Sequence, residues 1–392
     1  MESSQPLDDL LVLDLSQGIA GPYCARLLGD FGARVIKVEP PGGDCARAMP
    51  PFAGDAQDPE KSLLFMMLNL NKEGIVLDLD DERDQQQFRA LAARADVIVE
   101  SYAPGHLAAR GLDHAALCAV NAGLIVTSIT PFGQSGPYAS FKGDEIVAYA
   151  TGGIMSVSGT RDREPLQHGG FPAEYEAGMN GMLATNVALL ARDLTGVGQQ
   201  VDVSVQDVVL SSLAVTQPWY SFAGGVQGRR LPAGGGIEHV TPCKDGYFVI
   251  QQGGGRIRWS DIADFFGREE LNDARFADPV QRMANGDELE AIVRDATKDR
   301  TMADLFRSAS ERGLLIGIVQ TPEDLTACPQ LAARNFFADT THPVIGDVRV
   351  PYRIFDLSEG AMSCRRCAPL LGEHTADVLG SMADEQEAVH ER

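Results

Sequence analysis

Short apolar runs alternate with helix-patterned segments as far as Ile129, and this alternation leaves few possible architectures. Leu10 to Leu15, Arg34 to Val38, Ile75 to Leu79, Val97 to Val99 and Leu124 to Ile129 read as strands. Pro22 to Phe31 and Glu82 to Arg94 read as helices between them. Strands separated by helices of this length pair in parallel, because the chain must cross the sheet to re-enter it from the same end. The right-handed crossover then favours an open, doubly wound, Rossmann-like α/β sheet.

Beyond that region Pro172 to Arg192 reads as a long helix, with apolar residues at helical spacing (Met179, Met182, Leu183, Val187, Leu190). Gln200 to Val205 returns as a strand, and Asp207 to Ser221 reads as one helix. Gly224 to Gly236 is rich in glycine and arginine and has no period, so it is a linker. After it come a strand at Gly246 to Gln251 and charged helices to Arg312. The tail carries a strand at Val348 to Val350 and a short helix at Thr375 to Leu379. The 392 residues exceed one ordinary core and suit two lobes. The expected division is a large domain over 1–224, completed by 331–392, and a smaller α+β domain over 225–330.

Formal net charge is −22, with 44% hydrophobic residues. Such a surface repels nucleic acid and anionic membranes, so neither is expected as a partner. A phosphate-bearing ligand would need a local basic pocket. No apolar run reaches the roughly 18 residues of a membrane span. Met1 to Asp9 is polar and acidic, unlike a signal peptide. The seven cysteines have no framework spacing and read as reduced thiols, so the expected location is cytoplasmic. Cys364 and Cys367 form one CxxC near His374, but a zinc site wants a second pair and none exists, so no metal is expected.

Val12 to Tyr23 opens a strand–loop–helix unit, and the next strand ends at Glu39. The plan is that of a dinucleotide loop, but Gly18-x-x-Gly21 is not GxGxxG. Pro22 is tolerated in a first helical turn. The free N–H groups of that turn could receive a phosphate or carboxylate. A nicotinamide-dependent enzyme is one reading of this loop taken alone.

A longer series of blocks carries more. Val12-Leu-Asp-Leu15 and Ala20-Gly-Pro-Tyr23 come first. Asp30-Phe-Gly-Ala-Arg-Val-Ile-Lys-Val-Glu-Pro-Pro-Gly-Gly-Asp44 follows, with Arg47, Leu68-Asn-Leu-Asn-Lys72 and Leu77-Asp-Leu79. Ala95-Asp-Val-Ile-Val-Glu100 leads to Pro104-Gly-His-Leu107 and Gly111-Leu112, then to Ser128-Ile-Thr-Pro-Phe-Gly-Gln-Ser-Gly-Pro-Tyr138. Thr195-Gly-Val-Gly-Gln-Gln-Val-Asp-Val-Ser204 and Pro369-Leu-Leu-Gly-Glu-His374 complete the order. In this series the chain resembles the family III CoA-transferases (the CaiB/BaiF family), the group of formyl-CoA transferase and carnitine CoA-transferase. The resemblance implies a Rossmann-like large domain built from both chain ends, a small domain, and two chains interlocked like links.

The resemblance also implies a chemistry. A carboxylate attacks an acyl-CoA thioester, and a mixed anhydride and then an enzyme–CoA thioester form before an acceptor acid takes the CoA. Acyl-CoA and a carboxylic acid are the partners, and no covalently bound cofactor is implied. The family's nucleophile is an aspartate that begins a helix. In Pro165-Leu-Gln-His-Gly-Gly-Phe-Pro-Ala-Glu174 its position is held by Glu174. Glutamate keeps the carboxylate, and a helix N-terminus favours its charge, although that is also why glutamate is common in any first turn. The family's CoA and acyl contacts fall on Gln17, Gly18, Ile19, Lys72, Tyr102, Arg110 and Lys142, and its glycine lid on Gly234, Gly235 and Gly236. Ile19 replaces a frequent glutamine, and Pro40 a frequent arginine. Taken with Glu174, these departures leave a second reading: a catalytically silent subunit paired with an aspartate-bearing chain. The otherwise expected assembly is a homodimer. A racemase would need a histidine before Asp144, where Lys142 and Gly143 stand instead.

Overall fold

Six parallel strands order the larger part of the molecule: β1 (Leu11–Asp14), β2 (Arg34–Glu39), β3 (Lys72–Val76), β4 (Val97–Glu100), β5 (Ile125–Thr130) and β6 (Gln200–Ser204). Their spatial order is β3-β2-β1-β4-β5-β6. The order reverses between β1, which pairs Val12 with Val35 of β2, and β4, which pairs Val97 with the same Val12. Loops leaving the carboxyl ends of these two strands diverge, and a cleft opens between them. The computed structural model describes residues 5–159, 163–229, 240–251, 257–360 and 362–381.

The strands read as unbroken apolar runs because both sheet faces are covered. Val12, Val35, Val97 and Ile125 face one core, which includes Cys24, Leu28, Ala177 and Leu189 from two helices. Their neighbours Leu13, Ile36, Ile98 and Val126 face the other, with Phe88 and Leu91. The two helices on the first face are α1 (Ala20–Asp30) and the long helix Pro172–Thr195. Glycine lets them approach. A Cβ on Gly178 would stand 2.6 Å from the Ala20 carbonyl oxygen, and one on Gly181 3.2 Å from Cys24 Sγ.

Two expectations need correction. The third strand runs from Lys72 to Val76, not from Ile75 to Leu79, because Val35 of β2 pairs with Lys72 and Glu39 with Val76. Leu77 and Leu79 stay buried past the end of that pairing, and burial rather than strand geometry explains their apolar pattern. The segment read as one helix from Asp207 to Ser221 is two, Val205–Ser211 and Thr216–Ala223. Pro218 has no N–H to continue an earlier helix and sits in the first turn of a new one.

The chain divides into two units by its internal contacts. One comprises Met1–Ser158, Glu164–Val226 and Arg334–Arg392, so both chain ends share it. Phe337–His342 and Gly346–Pro351 form an antiparallel hairpin there. Val350 and Tyr352 lie in one apolar cluster with Phe31 and Phe65. The Tyr352 hydroxyl donates to Asp30 Oδ1 at 2.8 Å, and the His374 N–H to the Gly74 carbonyl at 2.8 Å. The other unit, Gly159–Arg163 with Gln227–Ala333, has a three-stranded antiparallel sheet with Tyr247–Ile250 in the middle. Helices Trp259–Phe266, Gly286–Thr297 and Met302–Glu311 build its core around Phe248, Phe276, Leu289, Val293 and Leu305. Among the described residues no helix is long and apolar enough to cross a membrane.

Candidate active site

The loop between β1 and α1 is held from beneath by buried charges. Lys37, on β2, pairs with Asp44 at 2.7 Å and with Asp14 at 3.6 Å, and its ammonium also donates to the Ser16 carbonyl. Asp44 Oδ1 accepts the Gly18 N–H at 2.9 Å and the Ala46 N–H at 2.8 Å. Gly18 has φ +78°, a backbone region that glycine enters without strain. Burial would raise the Asp14 carboxyl, but Lys37 and Lys72 hold it below the usual carboxylate value. Lys37 lies above the usual lysine range: the surrounding carboxylates outweigh its burial. Desolvated charges like these are tolerated only when fully paired and hydrogen-bonded.

Lys72 belongs to the same network, which corrects its reading as a phosphate contact. Its ammonium is wholly buried and bonds Asp14 Oδ2 at 2.7 Å, the Pro22 carbonyl at 2.8 Å and Asn69 Oδ1 at 2.8 Å. An ammonium has three N–H donors, so none remains for a ligand. Burial brings its pKa down to about 8 even beside Asp14. Sequence reading does not single out the partnership of Asp14, Lys37 and Asp44; the available signal is that Asp14 and Lys37 each interrupt an otherwise apolar strand.

A cavity of about 530 Å³ opens over this loop. Gln17, Gly18 and Ile19 form one wall and Glu174 another, so the structure brings these four expected residues together. Ile19, Met49, Ile129 and Phe171 make much of the remaining surface apolar. We label Glu145–Thr151 α2 and Pro172–Thr195 α3. Pro172 starts α3 with the φ a first turn needs, which puts Glu174 among the free N–H groups. Two of those groups are taken by Glu145 of α2: its Oε1 accepts the Ala173 N–H at 3.1 Å and its Oε2 the Glu174 N–H at 3.0 Å. Glu145 is buried and also lines the cavity. The sequence reading did not single it out. A carboxylate capping another helix 28 residues on leaves no local motif.

The Glu174 carboxyl is pushed up to about 7. Burial is the main cause, Glu145 and Asp144 add like charge, and the Ala20 N–H at the start of α1 opposes them by donating to it. A carboxyl so placed loses its proton near neutrality, and its anion is poorly solvated. Both properties suit a nucleophile.

Gln17 also borders a second cavity of about 200 Å³ with Tyr102 and Arg110. The Gln17 side chain hydrogen-bonds the Tyr102 hydroxyl. The Tyr102 ring stacks on His106 with centroids 4.4 Å apart and planes 6° from parallel. Arg110 donates to Asp80 Oδ1 and to the His106 carbonyl. Pro40 lines this cavity too. Lys142 is exposed and borders neither cavity, although Gly143 and Asp144 line the larger one. Gly234, Gly235 and Gly236 lie outside the described residues. Among the described residues no cluster of His, Cys, Asp and Glu could hold a metal. His374 instead accepts the Gly74 N–H at 3.1 Å.

The sequence model of the family described as CoA-transferase family III matches residues 7–375. A succinyl-CoA–D-citramalate CoA-transferase from Chloroflexus aurantiacus is 32% identical over 391 residues, covering 97% of this chain and 96% of that one. The BbsE subunit of a succinyl-CoA:(R)-benzylsuccinate CoA-transferase from Thauera aromatica is 30% identical, covering 94% and 92%. The crystal structure of a CaiB/BaiF family protein from Brucella suis superposes with a TM-score of 0.86 at 32% identity, over 97% of this chain and all of that one.

Proposed function

Because the chain belongs to CoA-transferase family III, we propose that it moves CoA between two carboxylic acids with Glu174 as the covalent nucleophile. The observation that carries this reading is the position of Glu174: it lines the larger cavity, receives the Ala20 N–H, and has a carboxyl titrating at about 7.

The steps are those the family resemblance implies, with Glu174 in the nucleophile's place. The Glu174 carboxylate adds to the thioester carbonyl, the C–S bond breaks, and a mixed anhydride and a CoA thiolate result. The thiolate attacks the Glu174 side of the anhydride, which releases the donor acid as its carboxylate and leaves Glu174 as a CoA thioester. An acceptor carboxylate then displaces the thiolate, forming a new anhydride. Attack of the thiolate on the acceptor's acyl carbon gives the new acyl-CoA and frees Glu174. No redox partner or net proton is needed. Apolar walls at Ile19, Met49 and Phe171 exclude water that would hydrolyse the anhydride.

CoA would run between the two cavities past Gln17. Its nucleotide end would meet the stacked Tyr102 and His106 and the guanidinium of Arg110. Its acyl end would meet Gly18, Ile19 and Glu174.

A second reading has a specific observation behind it. Two relatives are named as subunits, and Ile19, Pro40 and Glu174 each depart from the family pattern. Under this reading the chain shapes the site of an aspartate-bearing partner. Either assembly has a surface available: α3 exposes Met179, Leu183, Val187, Leu190 and Leu194 along one side. Contiguous apolar surface of this kind is rare on monomers, and a second chain, identical or related, would cover it.

The two readings separate in one experiment. The purified chain is mixed with several acyl-CoAs, treated with hydroxylamine and digested for mass spectrometry. A hydroxamate at Glu174 supports the enzyme reading. Unmodified Glu174, with acyl-CoAs that bind, overturns it in favour of the silent subunit.

A further inference from the structure

The larger cavity carries a charge pattern that bears on the acyl group. Among the described residues that line it there is no lysine, arginine or histidine, while Asp144, Glu145 and Glu174 all border it. The nearest cation along the chain, Lys142, does not line it. Lys37 and Lys72, on the loop side, are wholly buried and pair with Asp14 and Asp44. The remaining surface is apolar or neutral: Ile19, Met49, Ile129, Phe171, Gln167 and Thr130.

The reacting carboxyl of an acyl-CoA is already a thioester and enters uncharged, and an acceptor's carboxylate loses its charge once it forms the anhydride with Glu174. A second carboxylate on the acyl chain keeps its charge. It would sit in the cavity as an anion facing acidic groups, with no cation among the described lining residues to pair it and apolar walls that strip its water. Like charges within several ångströms of one another in a partly desolvated site repel enough for roughly a tenfold loss of affinity.

We infer that this chain selects acyl groups that carry no second negative charge: aliphatic, aromatic or neutral polar monocarboxylic acyls. This rests on the reading of the larger cavity as the acyl site. It separates the chain from the relatives named for succinyl-CoA, a thioester with a free carboxylate, among them the two described above.

The test uses near-isosteric thioesters with the full-length protein: succinyl-CoA, its neutral amide succinamyl-CoA, and 4-methylpentanoyl-CoA, in which an isopropyl group replaces the carboxylate. Affinities are measured by calorimetry, and adducts at Glu174 by mass spectrometry on the same samples. The expected result is that both neutral thioesters bind at least tenfold more tightly than succinyl-CoA. Asp144→Asn, which keeps the cap of α2 because asparagine also caps helices, should narrow that gap several-fold. Equal or tighter binding of succinyl-CoA, or failure of all three to bind, overturns the inference. The affinity ratio does not depend on turnover. A tenfold ratio without adduct would uphold the substrate class and sink Glu174 as nucleophile, whereas adduct without the ratio would do the reverse.

Discussion

Glu145 grips Glu174 by its backbone and opposes the ionisation of its side chain. The Glu145 Oε2 accepts the Glu174 N–H at 3.0 Å, and the same carboxylate adds to the burial that raises the Glu174 carboxyl to about 7. One residue therefore both places the proposed nucleophile and keeps it basic.

The carboxylate itself should be indispensable. Glu174→Gln is expected to abolish hydroxylamine-trapped adduct. Glu174→Asp retains the charge but withdraws the oxygens by roughly 1 Å, a displacement that costs about a hundredfold in rate. Single-turnover acyl transfer followed by mass spectrometry measures both. A faster Glu174→Asp variant would show instead that the site remains shaped for aspartate.

Adduct formation should rise with pH and level off above about 7, since only ionised Glu174 attacks. Stability should move the other way. The folded carboxyl holds its proton more tightly than the unfolded one, whose ordinary value is 4.5, so stability is lost as pH rises from about 4.5 to about 7. Glu174→Gln should therefore raise the melting temperature at pH 8 but hardly at pH 4. Melting curves of both proteins at the two pH values would decide this, and identical shifts at both would contradict it.

Lys72→Met should damage the fold and leave CoA binding alone. It removes one partner from a buried network and strands Asp14 with Lys37 at 3.6 Å. Breaking such a pair costs about 3–5 kcal/mol. Denaturant titration should show that loss, while calorimetry of the folded variant should give an unchanged CoA affinity. Weaker CoA binding at unchanged stability would restore Lys72 as a phosphate contact.

Gly178→Ala tests the close approach of α1 and α3. The new Cβ would lie 2.6 Å from a backbone oxygen, which cannot turn aside as a side-chain tip can. Overpacking of this kind costs about 1–3 kcal/mol. It also separates Glu174 from the Ala20 N–H, so adduct formation should fall along with stability.

Charging the exposed side of α3 should disperse the assembly. Leu183→Glu with Leu190→Glu places two carboxylates on a surface now 61% and 63% exposed. Light scattering after gel filtration should report a dimer for the parent chain and a monomer for the variant. A monomeric parent would remove the proposed role of this surface.

Several features were legible in sequence for plain physical reasons. Strands covered on both faces are apolar throughout, so β1, β2, β4, β5 and β6 could be read within a residue or so of their ends. Proline and the first-turn acid marked the start of α3, and with it Glu174. The reading of β3 differs because the strand begins at the polar Lys72 and Leu79 remains buried beyond its last paired residue, and apolar pattern reports burial rather than strand pairing.

The amino-acid order thus determined the succession of strands and helices, the glycine loop after β1, and a carboxylate at the head of α3. Only the tertiary structure decided which charges meet. Asp14 and Lys72 are 58 residues apart, and Glu145 and Glu174 are 29. Periodicity records which face of an element is buried. It holds no information about which distant charge will lie against it, because a long side chain such as Lys72 can turn inward to a carboxylate or outward to a ligand from the same backbone position. Packing of α1 against α3, and of β1 between β2 and β4, turned Lys72 inward to Asp14 and left a wall of the larger cavity to Glu145 and Glu174.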